Sequence, residues 1–179
     1  AAERWQKARR LPNSKREIVR QSELTQVESA ILDLDTLCSR APTVERLNLL
    51  GSAYKRLALI ESDRGRRLDA LTNMAHHYQL SLTRQAGTYA FTNWLAATLL
   101  VGQLGGPKVV EAAALHQQMS DLQHDLAHRL EDDPNFWDAA SLADLSLSEL
   151  LLHSLREPKR RTKASAGETA APVLAAYRC

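Results

Sequence analysis

Val and Ile together supply only 10 of 179 residues, and aromatics of all kinds only 5%, so the side chains from which pleated sheets are built are nearly missing. That composition argues against a strand-based fold. Gly and Pro number 7 and 6, too few for a low-complexity chain. The two cysteines, Cys38 and Cys179, allow at most one bridge, which makes neither a disulfide framework nor a thiolate zinc site. A reducing, cytoplasmic setting is the expectation. No apolar run approaches the ~20 residues of a bilayer span, and the opening AAERWQKARR lacks the apolar core of a secretory signal. Membrane insertion and secretion are both disfavoured. Neither sign of charge dominates, with 23 Lys+Arg against 21 Asp+Glu and a net charge of +2. What the chain does have is Leu and Ala, 56 residues between them, and these are strong helix formers. It starts without Met and stops on YRC inside an apolar pattern, so it reads as an excerpt from a longer polypeptide.

The apolar spacing supports the same fold class. Leu24, Val27, Ile31, Leu34 and Cys38 recur at alternating intervals of 3 and 4, the stripe of an amphipathic helix over about 15–38. Pro42 punctuates it, and Thr43 is placed to cap a second helix carrying Val44, Leu47, Leu50, Tyr54, Leu57 and Ala58 to about Ile60. Gly65 is read as the next break. A third helix carries Leu68, Leu71, Met74 or Ala75, Tyr78 and Leu82, and ends before Gly87. The fourth, Thr88 to Val101, is apolar on nearly every side and is expected to be buried between neighbours. After the loop 102–107, whose Pro107 suits a first helical turn, a fifth stripe runs from Val110 to Leu130. Pro134 is read as opening a sixth helix with Phe136, Trp137, Ala140, Ala143, Leu147, Leu150 and Leu151 on its apolar side. The basic stretch 156–167 reads as a loop, and 168–179 as the start of a last helix.

A period runs through these helices. Leu47, Leu50, Gly51 and Tyr54 align with Phe91, Trp94, Leu95 and Thr98, and again with Phe136, Ala139, Ala140 and Ala143, at offsets of 44 and 45 residues. A hairpin of this size cannot bury its apolar side alone and leans on the next copy. The first cassette, with Gly51 where two helices must approach closely, resembles the tetratricopeptide repeat pattern W-x2-L-G-x2-Y, with Leu47 in place of the tryptophan. RLNLLGSAYKRLAL followed by YAFTNWLAATLL is further similar to the long-helix repeats that accompany bacterial CHAT (caspase-like) peptidase regions and the TRAF-binding region of kinase-type signalling proteins. The resemblance implies an all-α fold of stacked antiparallel helical hairpins, a right-handed α-solenoid of six to seven helices. The expected divisions are 1–42, a helical segment on the first repeat, then repeats at 43–87, 88–132 and 133–179.

In such a repeat the first helix of each pair faces the concave side. Asn48, Ser52 and Lys55, with Arg56, stand off the Leu47/Leu50/Tyr54 side and are the candidate contacts for a partner protein or peptide segment, or for other domains of the parent chain. The expected function is a non-catalytic protein-interaction scaffold that needs no cofactor and no metal. Two other classes are weighed against it. His124 and His128, one helical turn apart with Asp121 nearby, could belong to a metal-dependent hydrolase, but Asp125 stands where zincins carry Glu and His116 is a poor third ligand. The basic residues Arg4, Lys7, Arg9, Arg10, Lys15, Arg16 and Arg20 and the basic run 156–163 suggest nucleic acid, which the nine carboxylates against the single Arg129 in 111–149 disfavour; contact between the acidic and basic ends, within the chain or head to tail, is an equal alternative. Cys38, Trp94 and Trp137 are expected in the core, and His153 is accounted for by its place at a helix end.

Overall fold

A computed structural model gives the protein's structure and describes residues 2–9, 11–107 and 112–156. Among them are seven helices and no strand: α1 (Ala2–Ala8), α2 (Asn13–Arg40), α3 (Val44–Ile60), α4 (Arg64–Arg84), α5 (Thr88–Gln103), α6 (Ala112–Asp132) and α7 (Phe136–Arg156). The all-α expectation holds, and among the described residues no helix is long and apolar enough to cross a membrane. The expected last helix at 168–179, Cys179 and the loop beyond Arg156 lie outside the described residues. The chain divides into two compact units, 1–97 and 98–179, with the boundary inside α5.

In the first unit, α2, α3 and α4 are joined by three-residue links, and each packs on the next, so neighbours run antiparallel. The stripe read from the sequence is the one that is buried. Leu24, Val27, Ile31 and Cys38 of α2 close on Leu47, Leu50, Ala53 and Ile60 of α3, with Leu34, Tyr54 and Leu57 beside them. α1 packs on α2 and α3, and its Arg4 reaches the buried carboxylate of Glu23 at 2.9 Å and Gln26 at 2.6 Å. Cys38 is buried, as expected, and burial pushes its thiol above the usual range.

The turn between α3 and α4 is held by charge. Glu61, only 3% exposed, accepts the backbone N–H groups of Ser62 (2.8 Å) and Asp63 (3.0 Å) on Oε1. Its Oε2 sits 2.8 Å from Arg66 Nε, and Arg20 of α2 approaches Oε1 at 3.5 Å. Arg66 also pairs with Glu28 of α2 at 2.7 Å, so one buried carboxylate gathers cations from two helices. The break falls here rather than at Gly65, which lies in the first turn of α4. Asp63 is the cap, accepting from Arg66 N at 2.8 Å, and a carboxylate there satisfies a free helix donor as glycine cannot. Thr43 caps α3 as expected, accepting from Arg46 N at 3.3 Å.

In the second unit α6 packs on α7. Leu115, Met119 and Leu126 of α6 are buried, as are Ala143, Leu145, Ser148 and Leu152 of α7. Asn135, not Pro134, opens α7: its side chain accepts from Asp138 N at 2.9 Å. The apolar stripe expected on α7 is also corrected. Phe136 and Trp137 are 73% and 75% exposed, so Trp137 is not a core residue, and Leu147 is exposed as well. Leucines occur at 142, 145, 147, 150, 151 and 152, which puts apolar side chains on more than one side of the helix. Periodicity alone could not choose between those sides. Trp94, by contrast, is buried as expected, with Leu95, Ala97 and Leu99.

Gly51 faces the ring of Tyr78, which is 0% exposed; a Cβ at 51 would lie 2.8 Å from Tyr78 Cε2 and 2.9 Å from Cδ2. Gly51→Ala would gain the helix propensity that glycine forfeits, about 1 kcal/mol, but the buried ring would have to move. The expected net effect is a loss of about 1–2 kcal/mol in denaturant unfolding, within the range for overpacked cores. A Gly51→Ala variant as stable as the parent would show that the contact is not tight.

Candidate functional site

The residues singled out on α3 fall in two places. Ser52, Lys55 and Arg56 occupy one turn of α3, and Asn48 stands one turn before them. Lys55 and Arg56 are exposed, whereas Asn48 and Ser52 are half-buried. That turn faces the first turns of α5, where Tyr89 and Asn93 are likewise spaced i and i+4. Lys55 Nζ donates to Asn93 Oδ1 at 2.8 Å, and Asn93 Nδ2 donates to the Tyr89 carbonyl at 2.9 Å. A buried amide thus fixes the base of an exposed ammonium.

Beside this pair three hydroxyls close a ring. Ser52 Oγ lies 2.9 Å from both Tyr78 OH and Tyr89 OH, and the two phenols are 3.2 Å apart. Three contacts can use all three protons, so each hydroxyl donates once and accepts once and keeps a spare lone pair. Burial, above all, pushes the Tyr78 phenol well above its ordinary range; the Ser52 bond and the Arg56 charge pull the other way, while Tyr89 adds to the rise. Tyr78 therefore stays neutral and takes part as a hydrogen-bonding hydroxyl.

α5 carries no charged side chain at all, and neither Lys55 nor Arg56 makes an ion pair among the described residues. Among the described residues Arg56 bonds the Ser52 carbonyl alone, at 3.4 Å. The Ser52–Lys55–Arg56 turn therefore presents two cations with donor capacity to spare over a fixed hydroxyl ring, while the carboxylate of Glu45 stands on the same side of α3 in its first turn. Chemically it is suited to acceptor groups on a bound segment. Ser52, Lys55 and Arg56 were candidates from the repeat pattern, whereas Tyr89 and Asn93, which the structure brings against them, were not named as such. Their signal was the polar i, i+4 pair at the start of an otherwise apolar helix.

A second polar set lies where Tyr54 of α3 meets α4. The His77 ring stacks on Tyr54 with centroids 5.4 Å apart and planes 7° from parallel, and His76 meets it edge-on at 5.2 Å. His77 Nδ1 is buried without a hydrogen-bond partner. Burial lowers the His77 pKa and the neighbouring His76 lowers it further, while Asp35 of α2 acts in the opposite sense.

The rival metal pair does not build a site. His124 and His128 lie on an exposed side of α6 with ring centroids 4.9 Å apart, His128 Nδ1 stands 3.9 Å from Glu131, and Asp121 is bonded by Gln117 at 2.7 Å. Among the described residues no group of three or more His, Cys, Asp or Glu could hold a metal ion. The N-terminal cations proposed for nucleic acid are in part committed elsewhere: Arg4 to Glu23, Lys7 to Glu3 at 3.0 Å, and Arg20 to Glu17 and Glu61.

Compared with known protein families, residues 1–100 match the family described as Tetratricopeptide Repeats-Sensor. That span takes in the whole of the first unit, with the cassette, the Gly51–Tyr78 contact and the hydroxyl ring. No curated protein and no solved structure matches the chain.

His77 supplies a pH test. Its folded pKa lies below the unfolded value of about 6.5, so the unfolded chain takes up the proton first as pH falls. Its contribution to stability is intact above the unfolded pKa and is lost as pH drops below it. The parent is expected to lose more stability than His77→Gln between pH 7.5 and 5.5, as read from urea midpoints at the two pH values. Equal losses would mean that His77 titrates normally.

Proposed function

The chain belongs to the Tetratricopeptide Repeats-Sensor family, and from that premise we propose that it acts as a non-catalytic scaffold that holds a segment of another protein, or of its own parent chain, against α3. Tetratricopeptide-type repeats serve protein interaction, and the observation that carries the proposal here is the Ser52–Lys55–Arg56 turn with its rigid support from Tyr78, Tyr89 and Asn93. Rigid helices lose little entropy when a partner docks, so weak polar contacts are not consumed in ordering the receptor. Lys55 and Arg56 supply donors, and Ser52 and Tyr89 supply hydroxyl lone pairs, whereas the Asn48 carbonyl oxygen is buried beneath the surface. An extended or helical segment bearing carboxylates or free carbonyls matches this inventory.

The wider assignment follows the same proposal. The hairpins at 43–87, 88–132 and 133–179 would form the repeat region of a larger cytoplasmic protein of bacterial signalling or CHAT peptidase type, presenting the bound segment to its active part.

Arg56 is the cleanest probe, because its one described contact is a long bond to a carbonyl, whereas Lys55 also ties α3 to α5. Immobilised parent chain and Arg56→Glu are compared for the proteins each retains from lysate, quantified by mass spectrometry. Proteins held by the parent are expected to fall at least tenfold on the variant, with helical circular dichroism unchanged, in line with loss of a charged contact worth about 1.5–3 kcal/mol. Unchanged retention would remove this surface from the binding site.

A further inference from the structure

We propose that the exposed Phe136–Trp137 pair at the start of α7 is a docking point for an arginine-bearing basic segment of a partner protein, separate from the α3 surface. Phe136 and Trp137 are the two most exposed aromatics among the described residues, at 73% and 75%, and their rings meet edge-to-face at 5.2 Å. Large aromatic side chains contribute about 1.5–3 kcal/mol each when buried, and here neither is covered. Single exposed apolar residues are ordinary, but two adjoining rings form a platform. Leu147, also exposed, lies eleven residues along α7 on the Phe136 side, about 16 Å away.

The charge around the platform selects its occupant. Residues 131–138 hold four carboxylates, Glu131, Asp132, Asp133 and Asp138, and no base. The Glu131 side chain is 78% exposed, and Asp132 and Asp133 are exposed too. The one base of 111–149, Arg129, is already shared between Asp125 at 3.5 Å and Asp138 at 3.3 Å. An acidic peptide or a nucleic acid would be repelled. A purely apolar occupant would strip water from the carboxylates and return nothing for it. An arginine meets both demands: its guanidinium lies flat on the indole while its N–H groups reach a neighbouring carboxylate. Lysine can satisfy the charge but stacks poorly, so the platform discriminates between the two bases.

The probe is an octa-arginine peptide titrated into the full chain by calorimetry, with octa-lysine in parallel. Saturable binding of octa-arginine is expected, several-fold tighter than that of octa-lysine. Trp137→Ala and Trp137→Leu should each weaken it roughly tenfold, the scale of one desolvated cation–π contact. Both rings are exposed, so these variants should keep their helical circular dichroism, and the leucine variant retains apolar area while removing the indole. Asp132→Asn with Asp133→Asn should weaken binding and flatten its salt dependence. Equal affinity for the two peptides, or no change in either Trp137 variant, would reduce the effect to net charge and overturn the proposal. The chain carries its own basic run at Lys159, Arg160, Arg161 and Lys163. If replacing all four with serine tightened octa-arginine binding tenfold, that run and not a partner protein would be the occupant, which would also overturn the proposal.

Discussion

The first unit depends on one contact without slack, the ring of Tyr78 lying on the backbone of Gly51. A residue with any side chain at 51 would hold α3 and α4 apart, because a packed aromatic ring does not yield by tenths of an ångström without disturbing what surrounds it. The ring is completely buried, so its hydroxyl cannot escape to water and must find partners at the rim of the helix pair. It finds Ser52, one residue after Gly51, and Tyr89 of the next helix. The same close approach that packs the hairpin therefore sets a buried hydroxyl beneath Ser52 and Tyr89 where α5 begins, and the candidate site is built on it.

Charge is partitioned between support and surface. Carboxylates that are buried in the first unit, Glu23 and Glu61, have cations beside them: Arg4 ties α1 to Glu23 of α2, and Arg20 of α2 reaches Glu61 in the α3–α4 turn, while Arg66 of α4 pairs with Glu61 and also reaches back to Glu28 of α2. Burying a carboxylate is costly unless its charge and lone pairs are met, so the value of these pairs is in fixing the register of the helices more than in net stability. The exposed turn of Lys55 and Arg56 is the reverse case. Among the described residues neither of its cations has an acid paired with it.

Much of this architecture was legible because α2 and α3 are amphipathic with a single apolar stripe each, so spacing, caps and buried residues agree. The Gly51 cassette was legible for a stronger reason: glycine next to leucine, with tyrosine three residues on, is costly in a helix unless a close approach requires it. Where several principles competed, the sequence misled. Gly65 looked like a break, yet Asp63 and the charge cluster on Glu61 end the loop two residues sooner. On α7 leucines occupy more than one side, and the stripe that includes Phe136 and Trp137 fits helical periodicity as well as the one that is buried. At the site, Ser52, Lys55 and Arg56 followed from repeat position, but Tyr89 and Asn93 belong to another helix. Only the fold decides which side chains meet across 37 or 38 residues of chain.

The arrangement at α3 bears on specificity more than on affinity. A hydroxyl ring that satisfies itself has little to gain from a partner, since any new bond to one of its protons breaks an existing one. It can still exclude a wrong partner, because a group that covers the ring without offering a donor leaves its lone pairs dry. Lys55 and Arg56, exposed and hydrated, supply attraction that salt can screen. On the proposed function, attraction and discrimination reside in different atoms: Lys55 and Arg56 would set how often a segment arrives, and Ser52 and Tyr89, held from beneath by the buried Tyr78, whether its polar groups match. A receptor built in this way can hold many acidic segments weakly and only a matched one well.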